Sequence, residues 1–253
     1  MFPRLHRPST AIAIAIGVIL SASAIADDDA FRAAIVNGDI QVIKTLSADI
    51  ENINLKDATG KNALMVAAKT GHCDLMKTLL DLGADPHSRN HNGGTPIMFA
   101  SISGNTECLD LLLDRDVDVN LRGSNGWGAL MIAAAKGHLD ATRVLVDAGA
   151  DLNTRDVYLW TPLHRAAYEN RLEVVDFFLS SGNADINSVD DQGATPLHHA
   201  ASQGNSSIVL ALLQHGARVD QPDGAGRTAE HYAVERGHVD LAQVLKDAHG
   251  SLN

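Results

Sequence analysis

Residues 190–201 read Asp-Asp-Gln-Gly-Ala-Thr-Pro-Leu-His-His-Ala-Ala, and each part of this stretch favours one local structure. Asp190 and Gly193 are turn residues, since glycine readily adopts the positive φ that a reversing chain requires. Thr195 is the expected N-cap of a helix. Pro196 suits the first helical position, where its missing N–H has no hydrogen bond to lose. The stretch therefore predicts a turn followed at once by a helix.

The residues that follow complete a unit of two short helices. Leu197 has alanines three and four positions later, a spacing that forms one apolar face and lets a neighbouring helix approach closely. Gly204 is placed to end this helix in a left-handed cap. A second apolar face follows at residues 208–213, and Gly216 ends it. The predicted unit is turn, helix, turn, helix.

The same unit recurs along the chain at a nearly constant spacing. The reference positions, equivalent to Leu197, are Leu64, Ile97, Leu130, Leu163, Leu197 and Glu230. Their residue numbers differ successively by 33, 33, 33, 34 and 33, and a degenerate copy begins at Phe31. A fixed period of this size indicates a stacked solenoid, an architecture that offers extended binding surfaces.

Several motif elements identify the repeat more closely. Residues 161–164 and 195–198 both read Thr-Pro-Leu-His, and Gly-His pairs and Gly-Ala-Asp tails recur in register. These motifs resemble those of ankyrin repeats, over about residues 29–252. The resemblance implies an all-α solenoid of stacked helix-turn-helix units with projecting β-hairpin-like fingers. It also implies protein–protein binding through the fingers and the concave helix face.

The domain organisation follows from where this pattern begins and ends. Residues 1–26 lie outside it, and residues 27–253 are expected to form one domain of about seven units. Residues 28–54 resemble an amino-terminal capping unit and residues 222–252 a closing one. Glu230 replaces the apolar residue of the other repeats there, and a polar outer face keeps a terminal repeat soluble.

The segment 1–26 has the three parts of a cleaved secretory signal. Arg4 and Arg7 precede the apolar run 11–20, and small residues lead to Ala26. The alternative is a membrane anchor, but the stretch 11–26 is shorter than the roughly 20 residues that a spanning helix needs. We expect cleavage after Ala26 and export of the mature chain, to the periplasm if the host is Gram-negative and to the exterior otherwise.

Charge limits the classes of partner. The chain carries a net charge of −11, and cleavage would remove two arginines and no acidic residue. Such a chain repels phosphate backbones and anionic lipids, so neither nucleic acid nor a membrane is an expected partner of the mature protein. The expected partner is another protein with a basic or mixed apolar-basic surface, bound by a monomer.

The two cysteines leave two possibilities open. An oxidising compartment permits a disulfide between Cys73 and Cys108. In repeat register, however, the two cysteines are offset by two positions on neighbouring helices, which turns the side chains roughly 200° apart. On this argument we expect two packed free thiols rather than a bridge.

The 12 histidines suggest a metal site or an enzyme as the alternative function. Half of them occupy repeat positions. The resemblance implies structural hydrogen bonding for the motif histidines His164, His198 and His231, and the other three follow the helix-stop glycine: His72, His138 and His238. His87 and His91 have i, i+4 spacing, but no further ligand completes a recognised metal set. The zincin, nucleophile-elbow and phosphate-loop motifs are all missing from the sequence. We therefore expect neither catalysis nor a metal or other cofactor.

The residue two positions after each reference position should face the concave groove, by analogy with ankyrin geometry. We call these residues the groove column: Val66, Phe99, Ile132, Arg165, His199 and Tyr232. Aromatic residues gather beside the middle of the column, at Trp127, Tyr158, Trp160 and Tyr168. The candidate partner-binding residues are Phe99, Trp127, Ile132, Tyr158, Trp160, Arg165, Tyr168 and His199. The alternative is that the turn aromatics pack on the next finger.

The repeat around Leu163 departs most from the pattern. Leu159 and Asn170 stand where the other repeats have glycine, and the one longer step between reference positions follows. Asn is the next-best residue for a left-handed turn, so the helix end should be retained. Such departures tend to mark functional sites, and we expect the partner to contact this repeat. The sequence thus predicts an exported protein-binding module, either an immunity-type inhibitor or an accessory factor for an exported enzyme.

Overall fold

The computed structural model describes residues 33–35, 37, 39, 41 and 53–250. From residue 63 onward the chain forms six antiparallel helix pairs, each with an inner helix followed by an outer one. The pairs are α1 Ala63–Thr70 and α2 Cys73–Asp81, α3 Pro96–Ser103 and α4 Thr106–Leu113, α5 Ala129–Lys136 and α6 Leu139–Asp147, α7 Pro162–Tyr168 and α8 Leu172–Ser181, α9 Pro196–Ser202 and α10 Ser206–Gln214, and α11 Ala229–Glu235 and α12 Val239–Gly250. We number the repeats one to six by these pairs.

Each inner helix packs on the inner helix of the next repeat. The outer helices of repeats one to five pack on one another in the same order. The alanines three and four positions after the reference position are fully buried between neighbouring inner helices, as Ala133 and Ala134 illustrate. The predicted all-α solenoid is confirmed. Within the described residues, no helix combines the length and the hydropathy that a bilayer crossing requires.

The inner helices begin as the sequence predicts. Thr195 is the N-cap of α9, and Pro196 is its first residue. His198 completes a capping box, because the Thr195 backbone N–H donates to its Nδ1 at 3.1 Å. The Nε2 atom lies 3.1 Å from the Arg227 carbonyl oxygen in the next repeat. The histidine of the motif therefore caps one repeat and joins it to the next.

Five-residue fingers precede the inner helices, at residues 57–61, 90–94, 123–127, 156–160, 190–194 and 223–227. In each finger the first backbone N–H donates to the carbonyl of the fifth residue, at 2.8–3.0 Å. The strand-like character is slight, since the bridge between Arg122 and Gly128 is isolated. Neighbouring fingertips are joined by backbone hydrogen bonds, such as Ser124 N–H to the Asn92 carbonyl at 2.8 Å and Gly224 N–H to the Gln192 carbonyl at 2.8 Å.

A ladder of asparagines, which was not predicted from the sequence, holds the bases of the fingers. Asn120 donates through Nδ2 to the Gly149 carbonyl at 3.0 Å and accepts from Asp151 N–H at 2.9 Å. Asn54, Asn153 and Asn187 each make the equivalent pair of bonds to the following repeat. These residues recur at the motif period, so the signal was present in the sequence.

A second ladder satisfies the carboxyl ends of the inner helices. His138 Nε2 lies 3.1 Å from the Ile102 carbonyl, and His238 Nε2 lies 3.3 Å from the Ser202 carbonyl. Arg171 and Asn205 occupy the same repeat position and bond to the Ala135 and Ala167 carbonyls. At His138 and His238, the recurrent histidine after the helix-stop glycine thus connects neighbouring repeats.

Burial also fixes the protonation of one capping histidine. His164 is fully buried in the capping box of α7. Burial, together with the nearby His199, lowers its pKa from 6.5 to about 3. Burial likewise lowers the pKa of His198. Between pH 6.5 and about 3 the unfolded chain therefore binds more protons than the folded chain, and stability falls as the pH falls.

Replacement of His164 by glutamine should flatten this pH dependence, because Gln does not titrate and can still accept the N-cap bond. We expect the slope of unfolding free energy against pH, between pH 4.5 and 6.5, to decrease by up to about 1.4 kcal/mol per pH unit. Urea unfolding at several pH values measures it. His231→Gln, at the exposed copy of the same position, is the control, and equal slope changes in both variants would contradict the assignment.

The expectation of free thiols is wrong, because Cys73 and Cys108 form a disulfide with their Cα atoms 4.9 Å apart. Cys73 begins α2 and Cys108 lies in the first turn of α4, two repeat positions further on. The helices are parallel neighbours, so side chains that point the same way cannot meet. A rotation of roughly 200° instead brings one side chain to face the other across the gap. The offset that seemed to exclude the bridge is what permits it.

Reduction of the disulfide should weaken the repeats that it joins. The linked cysteines are separated by 35 in sequence, and closure of a loop of that length stabilises a fold by about 3–4 kcal/mol. We expect dithiothreitol to lower the unfolding free energy of the first two repeats by this amount, measured by urea unfolding with hydrogen exchange to locate the loss. Cys73→Ala/Cys108→Ala should be insensitive to dithiothreitol. Two titratable thiols in the native, non-reduced protein would contradict the bridge.

Two non-glycine residues of the fourth repeat have left-handed conformations, which the sequence predicts for Asn170 only. Asn170 has φ 58° and Leu159 has φ 60°, where the equivalent glycines have values of 71–80°. The last described repeat has a mixed rather than a polar outer face, because Val234 and Val239 are exposed beside the half-buried Glu230. The predicted signal segment 1–26 and most of the amino-terminal capping unit 28–54 lie outside the described residues.

Candidate functional site

The groove column divides into two chemically different halves. In repeats one to three it consists of Val66, Phe99 and Ile132. In repeats four to six it consists of Arg165, His199 and Tyr232, and each of these hydrogen bonds to the aspartate that begins its own finger, nine positions earlier. Repeats two and three begin their fingers with Asn90 and Gly123, which have no carboxylate. Repeat one begins its finger with Asp57, but its column residue Val66 has no polar group to pair with it.

In repeat four the pair is an ion pair enclosed by indole rings. Arg165 donates through Nη2 to Oδ2 of the buried Asp156 carboxylate, and Trp127 Nε1 donates to the same oxygen at 3.2 Å. The Arg165 guanidinium lies 4.7 Å from the Trp127 ring centroid and 4.1 Å from that of Trp160. Both distances are those of cation–π contacts. This arginine therefore ties the rings of two repeats together.

In repeat five the pair is His199 with Asp190. His199 Nε2 lies 2.8 Å from Asp190 Oδ2, and the imidazole packs on Trp160 with 4.0 Å between ring centroids. Burial raises the pKa of Asp190, but hydrogen bonds from His199 and from the finger backbone outweigh it and lower the pKa overall. Tyr168 meets the edge of the Trp160 ring at 5.4 Å. The aromatic residues thus form one cluster across repeats three to five.

In repeat six the pair is a triad. The Tyr232 hydroxyl donates to Asp223 Oδ2 at 2.8 Å and accepts from Arg227 Nη2 at 2.9 Å. Burial and the hydrogen bond to the carboxylate raise the pKa of Tyr232 to about 12. Burial raises the pKa of Asp223 as well, but hydrogen bonds from the Arg227 backbone, Tyr232 and the Arg227 side chain outweigh it and lower the pKa overall. The carboxylate is therefore ionised and fully engaged at neutral pH.

The other half of the column is open. Between repeats two and three lies a groove of about 420 Å³, which we call the open groove. Its lining includes Met98, Phe99, Ile102, Trp127, Ile132 and Lys136. The amide side chains of Asn90, Asn92 and Asn125 border it from the fingers. No carboxylate belongs to this described lining.

An apolar fingertip lies one repeat further on. Val157 and Tyr158 are each 58 % exposed and Leu159 is 41 % exposed. We call residues 157–159 the apolar fingertip. Its backbone is fixed, because Tyr158 N–H donates to Asp156 Oδ1 at 2.9 Å and the Tyr158 carbonyl accepts from Asp191 N–H at 3.1 Å. Three exposed apolar side chains are thus held on a rigid turn.

The eight candidate binding residues fall into three groups. Phe99, Ile132 and Trp127 line the open groove. Trp127 also contacts Arg165, which with Trp160, Tyr168 and His199 forms the aromatic cluster. Tyr158 lies on the apolar fingertip. Both indole rings pack on the next repeat, as the alternative interpretation requires, and Trp160 is more enclosed than a simple surface anchor.

The column pairs were not predicted from the sequence. An aspartate stands nine positions before each polar member of the column. That spacing is visible at Asp156, Asp190 and Asp223. Val157 and Leu159 were likewise not singled out as exposed neighbours of Tyr158.

No group of three or more potential metal ligands occurs among the described residues. His87 and His91 are both exposed in and beside the second finger. The buried histidines are engaged in the caps and pairs described above. The arrangement can therefore present apolar, aromatic and cationic groups to a ligand surface.

Comparison with known proteins identifies the family. The family model for ankyrin repeats matches three times, over residues 30–123, 115–190 and 163–253, and so covers most of the chain. A search of curated proteins finds no match to this chain. Ankyrin repeats generally act as protein–protein interaction modules. The motif match, the helix pairs and the fingers agree: this chain belongs to the ankyrin-repeat family.

Proposed function

We propose that this chain is a non-enzymatic scaffold that is exported and binds a partner protein through its concave groove and its fingers. The observation that carries the proposal is the apolar fingertip, 157–159. The other described fingertips have polar or small residues at the first two of these positions: Ala58-Thr59, His91-Asn92, Ser124-Asn125, Asp191-Gln192 and Gly224-Ala225. Exposed apolar groups collected at one place are typical of interaction sites.

The backbone at the fingertip supports the same conclusion. Leu159 occupies a left-handed conformation in which an L-residue is strained by roughly 1–2 kcal/mol, and glycine fills this position in the neighbouring repeats. A glycine would satisfy the turn but would remove an exposed apolar side chain. Strain of this kind, held by a rigid frame, is characteristic of functional sites.

The fingertip, in repeat four, and the open groove, between repeats two and three, both adjoin the aromatic cluster. Trp127 belongs to both the groove lining and the cluster, and Trp160 follows the fingertip directly. A partner that reaches from Phe99 to Tyr158 would bury the side-chain types that dominate interface energetics. The scaffold itself would act as a monomer, with its repeats stacked only on each other.

Export is part of the proposal and has two supports. The segment 1–26 has the pattern of a cleaved signal, and the Cys73–Cys108 disulfide is typical of proteins in oxidising compartments such as the periplasm. An exported scaffold of this kind would act as an immunity-type inhibitor or as an accessory factor for an exported enzyme. The first form predicts that the partner loses activity in the complex, and the second that it gains activity or stability.

The strain at Leu159 gives a prediction that is independent of any partner. At an ordinary position alanine is more stable than glycine, because glycine has more freedom in the unfolded chain. At Leu159 we expect the reverse, with Leu159→Gly more stable than Leu159→Ala by about 1 kcal/mol. Thermal and urea unfolding measure the difference. Val157→Ala and Val157→Gly are the matched control pair, for which alanine should be the more stable; the same order at both sites would refute the strain.

The protein-binding proposal is tested by capture of a partner from periplasmic extract. Val157→Ser/Tyr158→Ser changes only exposed side chains, so the melting temperature should stay within about 2 °C of the native value. We expect the yield of the captured partner to fall at least about tenfold, since central apolar anchors dominate binding. Quantitative mass spectrometry of the bound fraction measures the yield.

Asp191→Ser/Gln192→Ser is the matched control, because it alters the same two positions of the next fingertip. It should retain the partner. Capture of the same proteins at the same yield by the Val157→Ser/Tyr158→Ser variant would show that the fingertip is not the binding site.

A further inference from the structure

In repeats one to three the concave surface is positively charged, although the chain as a whole is negative. Helices α1, α3 and α5 carry Lys69 and Lys136 and no acidic residue. The fingers of repeats two and three, residues 90–94 and 123–127, likewise contain no Asp or Glu. The negative charge of these repeats lies mainly on the outer helices and on the loops that follow them, away from the concave surface. The outer-helix acids are Asp74, Asp81, Glu107, Asp110, Asp140 and Asp147.

The lysines are arranged around the apolar surface of the open groove. Lys136 is exposed and lines the groove directly. Lys61 Nζ lies 5.9 Å from the centroid of the Phe99 ring. Lys69 is exposed and occupies, on α1, the repeat position that Ile102 occupies on the neighbouring α3. The apolar lining therefore has three cations near it: Lys61 on the first finger, Lys69 on α1 and Lys136 on α5.

Lys61 shares its finger with the Asp57 carboxylate, which attracts it, so the positive charge beside the groove comes mainly from Lys69 and Lys136. Asp57 is the acidic residue of the first finger, and its Oδ1 accepts from Thr59 N–H at 2.7 Å and from Lys61 N–H at 2.9 Å. Asp156 is buried and paired with Arg165. Exposed acidic groups appear on the inner side at Glu169, which takes the repeat position of Lys136 one repeat later, and again at Glu235.

We infer that the open groove binds an extended segment of the partner protein that combines apolar side chains with acidic ones. The inference rests on the proposed function and names the chemistry of the partner at that site. Apolar side chains of such a segment would contact Phe99, Ile102 and Ile132, while its carboxylates would meet Lys69 and Lys136. Asn90, Asn92 and Asn125 also line the groove; the Oδ1 atoms of Asn90 and Asn125 are held by their own fingers, so their side-chain NH₂ groups would be the donors to the backbone of the segment.

This differs from the basic partner that the total charge of −11 suggests. Total charge governs the potential at long range, whereas at 0.15 M salt an exposed charge acts over roughly 8 Å. The groups that touch a bound segment are therefore the lysines of the groove and not the acids of the outer helices. A partner whose surface is basic around one acidic-apolar segment would match both the long-range negative potential of the chain and the positive charge beside the groove.

Selection from a displayed library of random short peptides on the full chain tests the inference. We expect the enriched peptides to be rich in Leu, Ile and Phe and to carry more Asp and Glu than Lys and Arg. Their affinity should fall at least about tenfold for Lys69→Glu/Lys136→Glu at low salt, because that exchange reverses the local charge. Lys77→Glu/Lys246→Glu makes the same charge change on exposed outer-helix residues and should alter the affinity less than about twofold.

Three results would each overturn the inference. They are enrichment of basic peptides, no enrichment at all, and acidic peptides that bind Lys69→Glu/Lys136→Glu as tightly as they bind the native chain. The result is separable from that of the fingertip experiment. Basic peptides together with fingertip-dependent capture would leave the binding proposal standing and remove the acidic segment. If acidic peptides are enriched and lose affinity for Lys69→Glu/Lys136→Glu, but capture is unchanged by Val157→Ser/Tyr158→Ser, the acidic segment would stand and the fingertip would not be the binding site.

Discussion

Most fingers are folded around a side-chain oxygen of their first residue. Asp57, Asp156, Asp190 and Asp223 each use Oδ1 to accept the backbone N–H groups two and four positions later, and Asn90 does the same in repeat two. In repeats four to six the second carboxylate oxygen then holds the groove residue of the same repeat. One carboxylate thus fixes a finger and, where the groove residue is polar, also holds that residue. In repeat one the groove residue is the apolar Val66, and Asp57 fixes the finger alone. Where Asn or Gly replaces aspartate, the groove residue is apolar and the groove is open.

Periodic features of the fold could be predicted from the sequence, because their cause is local. Thr195, Pro196 and the glycine after every inner helix except α7 specify a cap, a first turn and a helix end within a few positions, and the structure confirms all three. The disulfide could not be obtained in the same way. Whether Cys73 and Cys108 meet depends on the relative placement of two helices. Two residues that point in opposite directions on one helix can face each other when they lie on two parallel neighbouring helices.

The candidate site shows the same boundary between local and non-local information. The sequence drew attention to the fourth repeat through Leu159 and Asn170. The left-handed turn predicted at Asn170 is confirmed, and Leu159 has the same conformation. The aromatic residues were recognised, but not that Trp127 and Trp160 enclose Arg165 between repeats. That arrangement depends on the stacking of successive repeats and on a carboxylate nine positions away. The exposure of Val157 is likewise a property of the assembled finger.

The central claim is that the column residues of repeats four to six are held in pairs within the protein, whereas the groove between repeats two and three is open to a partner segment. Nuclear magnetic resonance titration of the isotope-labelled chain with an enriched acidic-apolar peptide tests it most directly. We expect shift changes at Phe99, Ile102, Trp127 and Ile132, on α3, α5 and the finger between them, while His199 on α9 and Tyr232 on α11 stay unchanged. Changes centred on His199 and Tyr232, with Phe99 and Ile132 unaffected, would contradict it.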